Sequence, residues 1–155
     1  MENGKKTVES RAYWQAIIEL AREGHEVSVP IVGESMNPMI SSGRDCAVVA
    51  KLEREPKLLD VVLYTRPDGS YILHRVCAKR KNVLYIAGDF ESRLEKVPRE
   101  KVLLYASAFI RKGKRLSCGG FKWKAFSAVW LLLFPLRIPI INLFFGIKKL
   151  FTKKH

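Results

Sequence analysis

Three residues have the types and surroundings for hydrolytic chemistry: Ser35, His74 and Asp89. Ser35 lies in Val32-Gly33-Glu34-Ser35-Met36-Asn37-Pro38-Met39-Ile40, directly after the apolar, β-branched run that begins at Val27. The serine therefore falls where a strand gives way to a turn or short helix, a corner that exposes a side chain. Gly33 lets a bound chain approach the backbone without a Cβ in the way, and Pro38 fixes its own φ and keeps Asn37 out of the helical region. A hydroxyl so placed is a nucleophile only with a base beside it; alone, it is a polar turn residue. His74, in Tyr71-Ile72-Leu73-His74-Arg75-Val76, lies within an apolar strand, where alternation puts it on the face of Ile72 and Val76. An imidazole that titrates near neutrality is the general base a serine requires, and such proton transfer contributes about 10²–10⁴-fold. Asp89, after Gly88 at the end of Val83-Leu84-Tyr85-Ile86-Ala87, is the residue that would orient the imidazole and stabilise its charged form.

The elements that must position these groups read as a small β domain. Residues 7–24 have Tyr13, Trp14, Ile17, Ile18, Leu20 and Ala21 at helical spacing, with charged residues between them and Gly24 as a C-cap. Residues 27–32, 46–52, 61–64, 71–77, 83–87 and 102–109 read as strands, separated by turns at 42–45, 54–56, 67–70 and 79–82 and by a loop ending at Pro98. Pro67-Asp68-Gly69-Ser70 is a hairpin turn. Six short strands with these connections predict a mainly β chain, a curled antiparallel domain at 27–110 behind an N-terminal amphipathic helix at 1–26.

Composition sets the remaining bounds. The 155 residues are 48% hydrophobic, which excludes general disorder, and carry a net charge of +13. The charge is concentrated at one end: residues 1–100 hold 16 Lys and Arg against 15 acids, whereas residues 101–155 hold 12 and no acid. Cys46, Cys77 and Cys118 are odd in number and widely spaced, which suggests neither a disulfide framework nor a zinc site. No metal or cofactor is expected.

Residues 125–147 are apolar apart from Ser127, Arg137 and Asn142, and as one helix would reach about 34 Å, enough to span a bilayer. Arg137 near the middle, Pro135 and Pro139 beside it, and lysines on both sides all count against a plain span. An interfacial or re-entrant segment accommodates all three, with Arg137 snorkelling to the headgroups and Trp123 and Trp130 at the interface. A true span and a helix packed on the domain are the other arrangements. The expectation is thus a basic, membrane-associating tail at 111–155 that meets an anionic surface. Nucleic acid is not expected, because the apolar residues form a block and are not interleaved with cations.

The order of motifs resembles the signal peptidase I and LexA-like serine peptidase superfamily. The residues that carry it are Gly33-x-Ser35-Met36-x-Pro38, Gly43-Arg44-Asp45 before a strand, Asp60-Val61-Val62 with Tyr64, Leu73-His74-Arg75-Val76, Ala87-Gly88-Asp89 and Val97-Pro98-x-Glu100-x-Val102, over roughly residues 27–106. The resemblance implies that Ser35 is the nucleophile, that its backbone N–H belongs to the oxyanion hole, and that an extended peptide binds as an added strand along Gly33, Met36 and Pro38. Bacterial and repressor-type members use a lysine base; the matching position here is His74, as in members of the endoplasmic-reticulum and archaeal type. Glu91 is the substitute third member should Asp89 point elsewhere. Lys79 and Lys81 follow the strand and read as solvated. The function implied is a membrane-associated serine endopeptidase acting on a peptide or protein precursor. A non-catalytic peptide-binding module of the same fold, and a self-cleaving regulatory relative, are the alternatives.

Overall fold

The computed structural model describes residues 2–137 together with Pro139 and Leu143, with side-chain surroundings from Arg11 onward. A helix, α1 (Glu2–Arg22), precedes eight strands: β1 (Val27–Pro30), β2 (Cys46–Lys51), β3 (Val61–Thr65), β4 (Tyr71–Arg80), β5 (Val83–Ala87), β6 (Glu95–Pro98), β7 (Val102–Arg111) and β8 (Lys114–Ser117). A second helix, α2 (Phe121–Leu132), and a 3-10 turn at Phe134–Leu136 follow. The chain is mainly antiparallel β, as its alternation and turns predict. All strand pairs are antiparallel, in the order β1-β2-β7-β3-β4-β5-β6, with β8 on β7.

Strand β3 explains the layering. Val61, Val62, Leu63 and Tyr64 are all buried, a run with no polar face, so both sides of the strand must be covered. Val61 and Leu63 join the larger core, which α1 closes with Ile17, Ile18 and Ala21 and to which Trp123 of α2 contributes. Val62 and Tyr64 face a smaller core with Val76, Leu84, Ile86 and Val97. His74, paired with Val62 across the β3–β4 ladder, lies on this second side, the face shared with Ile72 and Val76.

Local chemistry accounts for the connections. Gly24 takes φ +98°, and the N–H groups of Gly24 and His25 reach back to the carbonyls of Ala21 and Leu20, closing α1. In the β3–β4 hairpin, Asp68 Oδ1 accepts from the Ser70 N–H at 2.9 Å and its hydroxyl at 2.6 Å. Asp45, buried behind the turn after the serine loop, accepts from the Ser41 and Lys112 N–H groups at 2.9 and 3.2 Å and from the Arg44 guanidinium at 2.6 and 2.8 Å. Those bonds, the Arg44 guanidinium first, hold its carboxyl down at about 2.

Some boundaries differ from expectation. β4 runs on to Arg80, so the turn expected at 79–82 shortens to Lys81 and Asn82, with Lys81 at φ +50°. Lys79 is exposed and paired with Glu55 at 2.6 Å. β6 and β8 were not anticipated. The tail also departs from the interfacial picture. Helix α2 starts at Phe121 and stops ahead of Pro135, and Trp123, Trp130 and Arg137 are buried against the domain, so Arg137 is not placed to snorkel. Its guanidinium donates to the Trp130 carbonyl at 2.9 and 3.1 Å and stacks over the rings of Trp130 and Phe134. No helix among the described residues is long and apolar enough to cross a membrane. Residues 138, 140–142 and 144–155, which include the rest of the 125–147 segment, lie outside the described residues.

Candidate active site

Ser35 follows β1 in a series of turns closed by the Asn37 N–H on Glu34 O at 3.1 Å and the Ile40 N–H on Met36 O at 3.2 Å. Met36 and Ile40 are buried in the larger core and anchor the loop, while Ser35 stays half-buried and accessible. The loop is tied to the turn after β5, where the Phe90 N–H donates to Ser35 O at 2.8 Å.

That second turn brings the candidate nucleophile and base together. A Cβ built on Gly88 would stand 2.9 Å from Ser35 Cβ and 3.1 Å from His74 Nε2. Ser35 Cβ and His74 Nε2 are therefore no more than 6.0 Å apart. Ser35 and His74 also line one cavity of about 430 Å³, with Met36, Tyr13 and Trp14 of α1, Val29 and Pro30 of β1, and Tyr71–Leu73 of β4. Strands β1 and β4 are four places apart in the sheet, so the sheet curves to bring them to the same hollow. Among the described residues, β1 pairs only with β2, and β4 pairs with β5 only from Arg75 onward. Each thus offers the cavity backbone groups with no ladder partner.

The imidazole is only 3% exposed. Its Nδ1 faces a polar cluster: the Tyr64 hydroxyl at 3.5 Å, Glu91 Oε2 at 3.7 Å and Glu95 Oε1 at 3.8 Å. Burial is the largest influence and lowers the pKa of His74 below its ordinary value, while the charges of Glu91 and Glu95 partly oppose it. Burial likewise raises the Tyr64 phenol, so it stays protonated. Glu91 also accepts from the Gly88 N–H at 3.3 Å, and Arg66 clasps Glu95 with its Nε at 2.8 Å and through Nη2. The ligand atoms of His74, Glu91 and Glu95 lie within 4.8 Å of one another, a set that could take a divalent cation. Arg66 already engages both oxygens of Glu95, including the Oε1 that faces His74.

Of the residues singled out from sequence, Ser35 and His74 both approach Gly88 and line one cavity, with Met36 in the same cavity. Asp89 does not face His74. Its carboxylate takes two hydrogen bonds from Arg75, Nε to Oδ1 and Nη2 to Oδ2, each 2.7 Å, with both side chains fully buried. The reason is alternation along β4: Arg75 points to the opposite side from His74 and draws Asp89 with it. Glu91, the substitute, is the carboxylate nearest Nδ1. Gly33 is exposed at φ +85° with open space beside it, and Pro38 is exposed and does not line the cavity. Glu95, Tyr64 and Arg66 were missed. Their link to His74 depends on the β5–β6 and β3–β4 pairings, of which spacing along the chain carries no signal. No family model matches the chain, and neither does any curated protein or solved structure.

Proposed function

We propose that the protein is a membrane-associated serine endopeptidase of the signal-peptidase-like type, which cleaves an extended peptide or protein precursor. Ser35 Oγ attacks the scissile carbonyl as His74 Nε2 takes its proton. The imidazolium returns that proton to the leaving amine, and water, activated by the same nitrogen, then hydrolyses the acyl-serine ester. The imidazolium is held by Glu91 and Glu95 at Nδ1, in the role expected of Asp89. The substrate enters as an added strand between the free edges of β1 and β4, a mode in which main-chain bonds give affinity and the pockets for alternate side chains give selectivity.

The observation that carries this reading is the approach of Ser35 and His74 to the same point over Gly88, in a cavity edged by unpaired strand. Membrane association rests on the outer face of α2. Phe121, Val129 and Leu132 are exposed there, and Leu136 in the turn that follows, with Lys122 and Lys124 exposed alongside, in the C-terminal third of the chain, residues 101–155, which has no acid. Each cation near an anionic surface adds about 1 kcal/mol.

A peptide library offered to the purified protein tests the reading. Cleavage should centre on one sequence class and fall at least about 10³-fold in Ser35→Ala and His74→Ala. Equal cleavage by wild type and Ser35→Ala would exclude the mechanism, and a library that is bound but uncut by the wild type would leave a peptide-binding module.

A further inference from the structure

The segment that follows β8 reads in the sequence as an appendage, yet residues 121–137 are built into the catalytic turn. Trp130 Nε1 donates to the Asp89 carbonyl at 2.8 Å. Arg137 reaches the neighbouring Gly88 carbonyl with Nη1 at 3.4 Å while its Nε and Nη2 hold the Trp130 carbonyl. From the other side, Arg75 joins the Asp89 carboxylate to the Ser127 hydroxyl, which accepts from Nη1 at 2.5 Å. Arg75, Asp89, Ser127 and Arg137 are all 0% exposed. Two arginines and one aspartate are thus enclosed together, and the hydrogen bonds of Arg137 go to carbonyl oxygens. Among the described residues no carboxylate forms an ion pair with Arg137, and a guanidinium so buried is a poor source of stability, since desolvation offsets what its bonds return. What the network does fix is position. Gly88 is the backbone wedged against Ser35 and His74, and Phe90, two residues on, holds the Ser35 carbonyl.

We propose that α2 and Arg137 are positioning elements of the peptidase site: by clamping the carbonyls of Gly88 and Asp89 they set the gap between Ser35 and His74. The tail is then required for chemistry as well as for location, on soluble peptide in the absence of any membrane. This rests on the peptidase reading given above.

The test uses the full-length chain in detergent, without lipid, and two readouts. One is the rate at which a fluorophosphonate labels Ser35; the other is amide hydrogen exchange at Phe90, whose N–H is bound to the Ser35 carbonyl. Trp130→Phe removes the donor to Asp89 and keeps a ring in the core, Arg137→Gln removes the charge and the fork, and Arg137→Lys restores the charge with a single donor group. In Trp130→Phe and Arg137→Gln, exchange at Phe90 should quicken and labelling should slow, each by about tenfold or more, with Arg137→Lys between them and wild type. Exchange at Val49 and Leu104, in the core, should stay as in wild type and so separate loss of the clamp from loss of the fold. Unaltered labelling or unaltered Phe90 exchange in both variants, with the wild type labelled normally, overturns the clamp alone. A wild type that the probe does not label overturns the peptidase reading itself, and with it any catalytic part for the clamp.

Discussion

A methyl group on Gly88 would stand 2.5 Å from the Ser35 carbonyl oxygen and 3.1 Å from His74 Nε2, and the first of these contacts is with backbone that cannot swing aside. Gly88→Ala should therefore part Ser35 from His74: on the proposed mechanism peptide cleavage falls about 100-fold, while the unfolding free energy drops only about 1–3 kcal/mol. His74 gives a second prediction. Burial favours its neutral form, so the acidic limb of kcat/KM should lie below the ordinary imidazole value of 6.5. Glu91 pulls the other way, hence Glu91→Gln should move that limb to still lower pH and reduce the maximal rate. Stability follows the same sign. A histidine whose folded pKa is depressed takes up its proton more readily once unfolded, so its contribution is complete above 6.5 and is lost as pH falls from there towards the folded value. At this scale residue type and sequence neighbours singled out Ser35 and His74, which the fold brings to one cavity. The partner of Asp89 was not, because alternation sends Arg75 to the face His74 leaves, and no motif records which of two adjacent side chains a distant carboxylate will meet.

Among the elements, α1 is more than a cover for the core. Trp14 stacks on Tyr71 of β4 at 5.6 Å, with Tyr13 edge-on to it at 5.5 Å, so one wall of the cavity that holds Ser35 and His74 is aromatic and belongs to the helix. Trp14→Ala should raise KM for the preferred peptide several-fold and leave kcat close to wild type, as expected of a group that grips substrate and transition state alike. The turn between β1 and β2 depends on Asp45. Its carboxyl is held at about 2 against an ordinary 3.8, so it contributes roughly 2 kcal/mol that is present above pH 4 and lost as pH falls towards 2. Asp45→Asn should lower stability at neutral pH by a similar amount in a denaturant titration and flatten that acid dependence. Six of the eight strands could be read from β-branched alternation. Glu95–Pro98 and Lys114–Ser117 could not: each has four residues, charge and little apolar content, and pairing alone makes it a strand.

At the scale of the molecule, α2 has two different faces. Trp123, Ser127 and Trp130 turn inward, while Val129 and Leu132 stay exposed, the latter by 79%. The sequence showed an apolar stretch broken by Pro135 and a run of cations, and both features are present. It did not show that Arg137 reaches the Gly88 carbonyl inside the domain, since that acceptor belongs to a turn some fifty residues earlier. If the outer face meets lipid, the protein should co-sediment with vesicles rich in phosphatidylglycerol and not with neutral phosphatidylcholine. That binding should weaken with added salt and fall further in Leu132→Glu. The most direct measurement concerns the meeting of the serine with the imidazole. Fluorophosphonate treatment followed by intact-mass and peptide mapping should place a single adduct on Ser35 in the wild type and none in His74→Ala; an adduct on another residue, or labelling of Ser35 that proceeds equally fast without His74, would contradict the account.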